Sequence, residues 1–220
     1  MMDDLRIDLI DSAASTPGEP APQPRDTRRQ FLGQTLAVGG ATIFAGGVFV
    51  AALPRLAVSA PSPAQDAEIL NFALLLEYIE SAFFTEASVK GNLSGELLEF
   101  ADVVRGHERA HVAFLRGALG NKARKQPKLE FGDATREPGA FTAAAVALED
   151  LAVSAYNGQA GNLTKGTLEA AAKIVSVEAR HAGWIRAIAG KNPAPAATEE
   201  PLTAKQVTAA VAKTGWVKTS

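Results

Sequence analysis

The 220-residue chain has no cysteine, few aromatic residues, only three histidines and little net charge. The absence of cysteine excludes thiolate metal sites, disulfides and cysteine nucleophiles, so any bound metal would be held by oxygen and imidazole nitrogen. A net charge of −2 argues against general nucleic-acid binding. Aromatic residues make up 6% of the chain and alanine is abundant, which favours closely packed helices.

The first 64 residues are predicted to be a leader that precedes the folded domain. Residues 1–26 combine acids, prolines and small polar residues, a composition that predicts disorder. The motif Arg28-Arg29-Gln30-Phe31-Leu32 and the uncharged run that ends at Pro54 resemble a twin-arginine (Tat) export signal. The resemblance implies passage through the Tat machinery to the periplasm or cell envelope. An uncleaved signal that anchors the protein in the membrane is the alternative.

Apolar residues at helical spacing predict four helices after the leader. The helices cover about residues 66–88, 94–119, 140–156 and 164–189. A polar segment that is too long for a tight hairpin separates the second helix from the third. The chain is therefore predicted to be all-α, with a ferritin-like four-helix bundle over residues 65–190 and a long crossover between helices 2 and 3. Residues 191–220 are predicted to form a Pro-rich linker and a short C-terminal helix across one end of the bundle.

Two Glu-x-x-His pairs lie on the predicted second and fourth helices. They are Glu108 with His111 and Glu178 with His181. Residues three apart share a helix face, and each pair is accompanied on its face by Ala, Val, Leu or Ile. Both pairs are therefore predicted to face the interior of the bundle.

The first and third helices each place one acid among apolar residues, Glu77 and Glu149. Each acid precedes the next Glu-x-x-His pair by nearly the same number of residues, so the chain carries an internal two-fold repeat. An unpaired carboxylate in such surroundings costs roughly several kcal/mol. Two divalent cations would balance the four negative charges, and oxygen and nitrogen donors suit iron, manganese or zinc.

Four segments carry a closer resemblance: LNFALLLEYIESAFF, GHERAHVAFL, FTAAAVALEDLAVSAYNGQAG and IVSVEARHAGWIRA. Over about residues 65–215 the chain resembles the exported bacterial ferritin-like domain proteins, a group that includes desiccation-related proteins. The resemblance implies a carboxylate centre that holds two divalent metal ions, with iron favoured. The positions that match its metal ligands are Glu77, Glu108, His111, Glu149, Glu178 and His181.

Several assignments stay open at this stage. Glu108 together with Glu149 or Glu178 would bridge the two ions, and Glu80 is an alternative to Glu77 as a ligand. His107 is expected at the rim of the site. Phe84 stands where many relatives would have a tyrosine, whereas Tyr156 is available for a hydrogen bond or a radical role.

Two functions fit this pattern. The first is a di-metal protein with ferroxidase activity or activity that reduces O₂ or peroxide. The second is a non-catalytic structural or stress-protective protein of the cell envelope, in which the metals hold the bundle together.

Overall fold

Five α-helices dominate the computed structural model, which describes residues 60–218. The helices are α1 (Pro63–Lys90), α2 (Gly95–Leu119), α3 (Pro138–Ala160), α4 (Lys165–Ile188) and α5 (Ala204–Thr214). The predicted all-α, ferritin-like bundle with a short C-terminal helix is confirmed. The proposed export signal, with its Arg28-Arg29 pair, lies outside the described residues.

The four long helices form two hairpins. The most extensive packing joins α1 to α2 and α3 to α4. Residues 120–137 connect the hairpins and include two short 3₁₀ turns, Gly120–Lys122 and Gly132–Thr135. This connection is the long crossover that the polar segment predicts.

The start of α1 differs from the sequence prediction. The prediction began the helix near Asp66, whereas the helix begins at Pro63 and the Ser62 hydroxyl accepts a hydrogen bond from the backbone N–H of Gln65. Serine at the N-cap and proline in the first turn are both favourable, which explains the earlier start. Asp66 instead accepts hydrogen bonds from the backbone and hydroxyl of Thr164 and from the hydroxyl of Thr167. It thereby ties the start of α1 to the start of α4.

Two apolar clusters make up the core of the described domain. One cluster is rich in aromatic side chains and includes Phe83, Phe84, Phe100, Phe141 and Ile185. The other includes Leu74, Leu115, Leu119, Tyr156 and Ile174. On each long helix the buried acid lies between residues of the two clusters. A layer of carboxylates therefore divides the core across the bundle.

The C-terminal segment packs against the bundle, and it contains one feature that the sequence does not predict. Val207 and Val211 of α5 are buried, and Trp216 stacks on Phe83 with ring centroids 5.6 Å apart. This feature is a two-stranded antiparallel ladder between β1 (Lys128–Leu129) and β2 (Val217–Lys218). Strands of two residues carry no periodic pattern, so sequence analysis could not find them.

Gly158 allows the C-terminal segment to cross α3 closely. A Cβ atom at this position would lie 1.9 Å from the carbonyl oxygen of Leu202, whose own N–H donates to Ser154 O at 3.0 Å. We expect Gly158→Ala to lower the free energy of unfolding by about 1–3 kcal/mol, because backbone atoms must move apart. Urea unfolding measures this change.

The control is Gly117→Ala, at an exposed position in α2 where a Cβ atom meets nothing within 4 Å. This change should stabilise the protein by about 0.5–1 kcal/mol through helix propensity. Equal stabilisation by both changes would show that the C-terminal segment does not pack on α3 in solution.

Candidate metal centre

The carboxylate layer brings together all six residues that the sequence singles out as metal ligands. The four glutamates have no exposed surface, and the two histidines expose 9% and 3% of theirs. These residues are Glu77 on α1, Glu108 and His111 on α2, Glu149 on α3, and Glu178 and His181 on α4. Each long helix thus contributes its acid or its Glu-x-x-His pair to one buried site.

His111 faces the first of two groups of carboxylates. Its Nδ1 atom lies 3.2 Å from Oε2 of Glu77, 3.2 Å from Oε2 of Glu108 and 2.9 Å from Oε1 of Glu178. These four residues offer ligand atoms that all lie within 4.8 Å of one another. One nitrogen and several oxygens around a shared space form a donor set that suits iron, manganese or zinc.

His181 faces the second group in a similar way. Its Nδ1 atom lies 3.3 Å from Oε1 of Glu108, 3.4 Å from Oε2 of Glu149 and 3.6 Å from Oε2 of Glu178. The ligand atoms of these four residues also lie within 4.8 Å of one another. The two halves of the internal repeat therefore produce two equivalent donor sets.

Glu108 and Glu178 belong to both groups. Each directs one carboxylate oxygen toward His111 and the other toward His181. Glu149 belongs to the second group alone. Of the bridging candidates left open by the sequence, the geometry therefore favours Glu108 and Glu178.

The carboxylates are not satisfied by protein hydrogen bonds. Within residues 60–218, both oxygens of Glu149 and Glu178 and one oxygen of Glu77 and Glu108 are buried without a hydrogen-bond partner. Nδ1 of His181 also lacks one, although three carboxylates lie near it. Buried polar atoms are normally paired, so these atoms are arranged as a ligand shell arranges its donors. The residues present therefore fit a pair of cations.

Burial and mutual repulsion oppose ionisation of several of these acids. Burial, followed by the charge of Glu108, raises the pKa of Glu77 well above its usual value. Burial likewise raises the pKa of Glu149 and Glu80. Without a cation, these carboxyl groups hold protons that a bound metal ion would replace.

The histidines partly compensate the acids. Burial opposes their positive charge, but the surrounding carboxylates prevail and raise the pKa of both His111 and His181 to about 12. Although burial acts in the opposite direction, the two imidazoles lower the pKa of Glu108 to about 2. Metal-free protein thus holds imidazolium groups in place of cations, and metal binding must release their protons.

Tyr156 contacts the centre from α3. Its hydroxyl donates a 2.5 Å hydrogen bond to Oε1 of Glu77, whose other oxygen faces His111. Burial raises the pKa of the phenol well above its usual value, so the phenol keeps its proton and remains a donor. Phe84, at the matching position of α1, is buried among aromatic rings of the core and offers no such bond.

His107 lies at the exposed edge of the centre, the rim position that the sequence suggests. Its Nδ1 is 2.9 Å from Nε2 of His181, and the two rings stack with centroids 5.1 Å apart. When Nδ1 of His181 binds a cation, the remaining ring proton of His181 lies on Nε2. This N–H group can then donate a hydrogen bond to Nδ1 of His107. A surface cavity between α2 and α4 reaches both candidate ligand histidines and is also lined by His107, Arg180 and Trp184.

Glu80, the alternative to Glu77 that the sequence leaves open, is buried as well. It exposes 1% of its surface and lies one turn beyond Glu77 on α1. Glu77, not Glu80, completes the group around His111. Residues 77 and 80 are three apart and share a helix face, so both point into the bundle.

The raised pKa values predict how the stability of metal-free protein depends on pH. Folded protein binds more protons than unfolded protein above the ordinary carboxyl pKa of 4.5 because of Glu77, Glu80 and Glu149. The two histidines add the same effect above 6.5. Stability therefore falls as pH rises, and the opposite contribution of Glu108 is already complete above 4.5. Urea unfolding in chelator should give a lower free energy at about pH 8 than at about pH 5.

Glu149→Gln is the control for this pH dependence, because it removes one of the groups that bind the extra protons. The loss of stability between the two pH values should be smaller in this variant. Stability of the metal-free wild type that stays level or increases with pH would contradict the description of the site.

Comparison with known proteins agrees with this arrangement. None of the curated proteins searched matches the chain. The Ferritin-like domain family model matches residues 65–191, which include all six candidate ligands and the four long helices except the first two residues of α1. The match covers more than half of the chain, and the protein therefore belongs to the ferritin-like domain family.

Proposed function

We propose that the protein binds two divalent cations, with iron favoured, and uses them to reduce dioxygen or hydrogen peroxide. The observation that carries this proposal is the pair of overlapping donor sets that share Glu108 and Glu178. Such a ligand set, drawn from four helices, is typical of di-iron and di-manganese carboxylate proteins. When bound, two Fe²⁺ ions would supply two electrons as they become Fe³⁺, and with two protons these electrons would reduce dioxygen to hydrogen peroxide or hydrogen peroxide to two molecules of water.

The protein's own residues support this chemistry in three ways. The apolar clusters on either side of the carboxylate layer keep bulk water from most of the site. The hydrogen bond between Tyr156 and Glu77 and the hydrogen bond between His181 and His107 fix the orientation of two candidate ligands. The cavity between α2 and α4 gives a small oxidant a path to the ligand histidines.

A non-catalytic structural or stress-protective role is the second candidate. Its support is the energetic cost of the unpaired carboxylates, since any divalent cation would offset that cost and stabilise the bundle. The cavity that reaches His111 and His181 favours the catalytic role, because structural metal sites are usually closed to small molecules.

The two roles predict different behaviour toward oxygen. Protein loaded with Fe²⁺ without oxygen, and then exposed to air, should consume O₂ and develop the near-ultraviolet absorption of Fe³⁺. An oxygen electrode and a stopped-flow spectrometer measure these changes. Metal-loaded protein that gains thermal stability but consumes no O₂ would support the structural role instead.

Glu178→Ala should remove the ability to bind both cations, because Glu178 contributes to both donor sets. We expect bound iron to fall from two ions per chain to less than one, and O₂ consumption to fall by about 100-fold or more. Elemental analysis and the oxygen electrode measure the two effects. Glu169→Ala, an exposed position on the same helix, serves as the control and should behave as the wild type. A Glu178→Ala variant that retains both ions would contradict the shared role of this residue.

The location of the protein is a further part of the proposal. The Arg28-Arg29 motif supports export by the Tat machinery to the periplasm or cell envelope, either as a cleaved protein or with the signal kept as an anchor. Among residues 60–218, no helix has the length and apolar character needed to cross a membrane.

Replacement of Arg28 and Arg29 by lysine should abolish export, because Tat signals depend on the paired arginines. Cell fractionation followed by immunoblotting would then find the variant in the cytoplasm. Replacement of Arg25, which lies outside the motif, is the matched control. An envelope fraction that still contains the doubly substituted protein would exclude Tat export.

A further inference from the structure

Glu80 is a buried acid that belongs to neither of the two donor groups. It exposes 1% of its surface, and neither of its oxygens has a hydrogen-bond partner among the described residues. Even a protonated carboxyl group would leave its O–H unpaired in this position. Burial of such a group costs roughly 1–3 kcal/mol or more, so an interaction beyond those of the protein side chains is expected.

The packing of α1 on α3 indicates which group Glu80 is near. Tyr156 contacts Glu77, and Phe141 packs against Phe84 with ring centroids 6.0 Å apart. The two helices therefore run antiparallel, with residues 77 and 84 of α1 opposite residues 156 and 141 of α3. Glu80 lies between these contacts and faces the part of α3 that carries Glu149.

The internal repeat is unequal at this position. Three residues after its buried acid, α1 has Glu80, whereas α3 has the buried alanine Ala152. Seven residues after the acid, α1 has Phe84 and α3 has the hydrogen-bonding Tyr156. The Glu77 carboxylate of the His111 group thus receives a phenol from α3, whereas the polar side chain of α1 that lies opposite Glu149 of the His181 group is Glu80.

We propose that Glu80 is an additional ligand of the cation held by Glu108, Glu149, Glu178 and His181. This inference rests on the proposed function, because it assumes that the centre binds two cations. It makes the two cation positions unequal: one has a hydrogen-bonded terminal carboxylate at Glu77, and the other has two terminal carboxylates.

A fifth carboxylate also suits a centre that changes its oxidation state. With four carboxylates the site is neutral when it holds two divalent ions, and it has a charge of +2 when both ions are trivalent. With Glu80 ionised, the charge changes from −1 to +1. The larger charge is avoided in a buried layer, where uncompensated charge is most costly.

Titration of metal-free protein with Co²⁺ tests this assignment without any turnover. Wild-type protein should bind two Co²⁺ ions, one more tightly than the other. In Glu80→Gln the affinity for one ion should fall by about 10-fold or more, while the affinity for the other stays within about 2-fold. The visible absorption of bound Co²⁺ should also change, because one ion loses a carboxylate ligand.

Thermal unfolding gives a second readout with opposite signs. Glu80→Leu should raise the melting temperature of metal-free protein, because it removes a buried and unpaired acid. The same variant should lower the melting temperature of Co²⁺-loaded protein relative to the loaded wild type. A purely structural role for Glu80 would shift both temperatures in the same direction. Glu80→Gln, which is nearly isosteric, keeps the test available if the leucine variant does not fold.

Glu86→Gln is the matched control, because Glu86 lies on the same helix but bonds to Thr135 outside the carboxylate layer. It should leave both Co²⁺ affinities and the Co²⁺ spectrum unchanged. Wild-type protein that binds no Co²⁺ would overturn the proposed function. If Glu80→Gln binds two Co²⁺ ions with the affinities and the spectrum of the wild type, the proposed role of Glu80 is overturned and the proposed function is not.

Discussion

The mutual repulsion of buried carboxylates is the constraint on which the rest of this structure depends. Five glutamates are almost completely buried in one layer between two apolar clusters. Protein hydrogen bonds satisfy only some of their oxygens, and two imidazoles supply only part of the charge that would balance them. A helical bundle gains nothing in stability from such a layer unless cations complete it. The fold and the candidate metal centre are therefore two aspects of one arrangement of helix faces.

The internal repeat explains why there are two donor groups, and its exceptions explain why the surroundings of the two groups differ. Each hairpin supplies one acid and one Glu-x-x-His pair, so Glu108 and Glu178 occupy equivalent positions and each is shared by both groups. The hairpins differ at two matched positions near this layer, where Glu80 matches an alanine and Tyr156 matches a phenylalanine.

Much of the fold and of the centre follows from local sequence patterns. Helical spacing places Glu108 and His111 on one buried face, and the same rule places Glu178 with His181. Local patterns do not predict contacts between helices, because these contacts depend on how far one helix is shifted along another. The hydrogen bond from Tyr156 to Glu77 and the contact of His107 with His181 are of this kind. No spacing within a single helix could reveal them.

The short ladder between β1 and β2 is another contact that local sequence patterns do not predict. Its strands are two residues long and are far apart in the chain, and their pairing follows from the packing of Trp216 against Phe83 and Phe131. The helix α1 begins before the predicted start because Ser62 caps it, whereas Asp66 accepts hydrogen bonds from Thr164 at the start of α4.

Anomalous diffraction from crystals grown with Fe²⁺ or Co²⁺ is the most direct measurement of whether cations complete the carboxylate layer. Two separate peaks are expected in this layer, one beside Nδ1 of His111 and one beside Nδ1 of His181, with Glu108 and Glu178 in contact with both. Crystals grown with either metal that show no anomalous peak between these residues, or that show peaks only at the protein surface, would contradict the assignment.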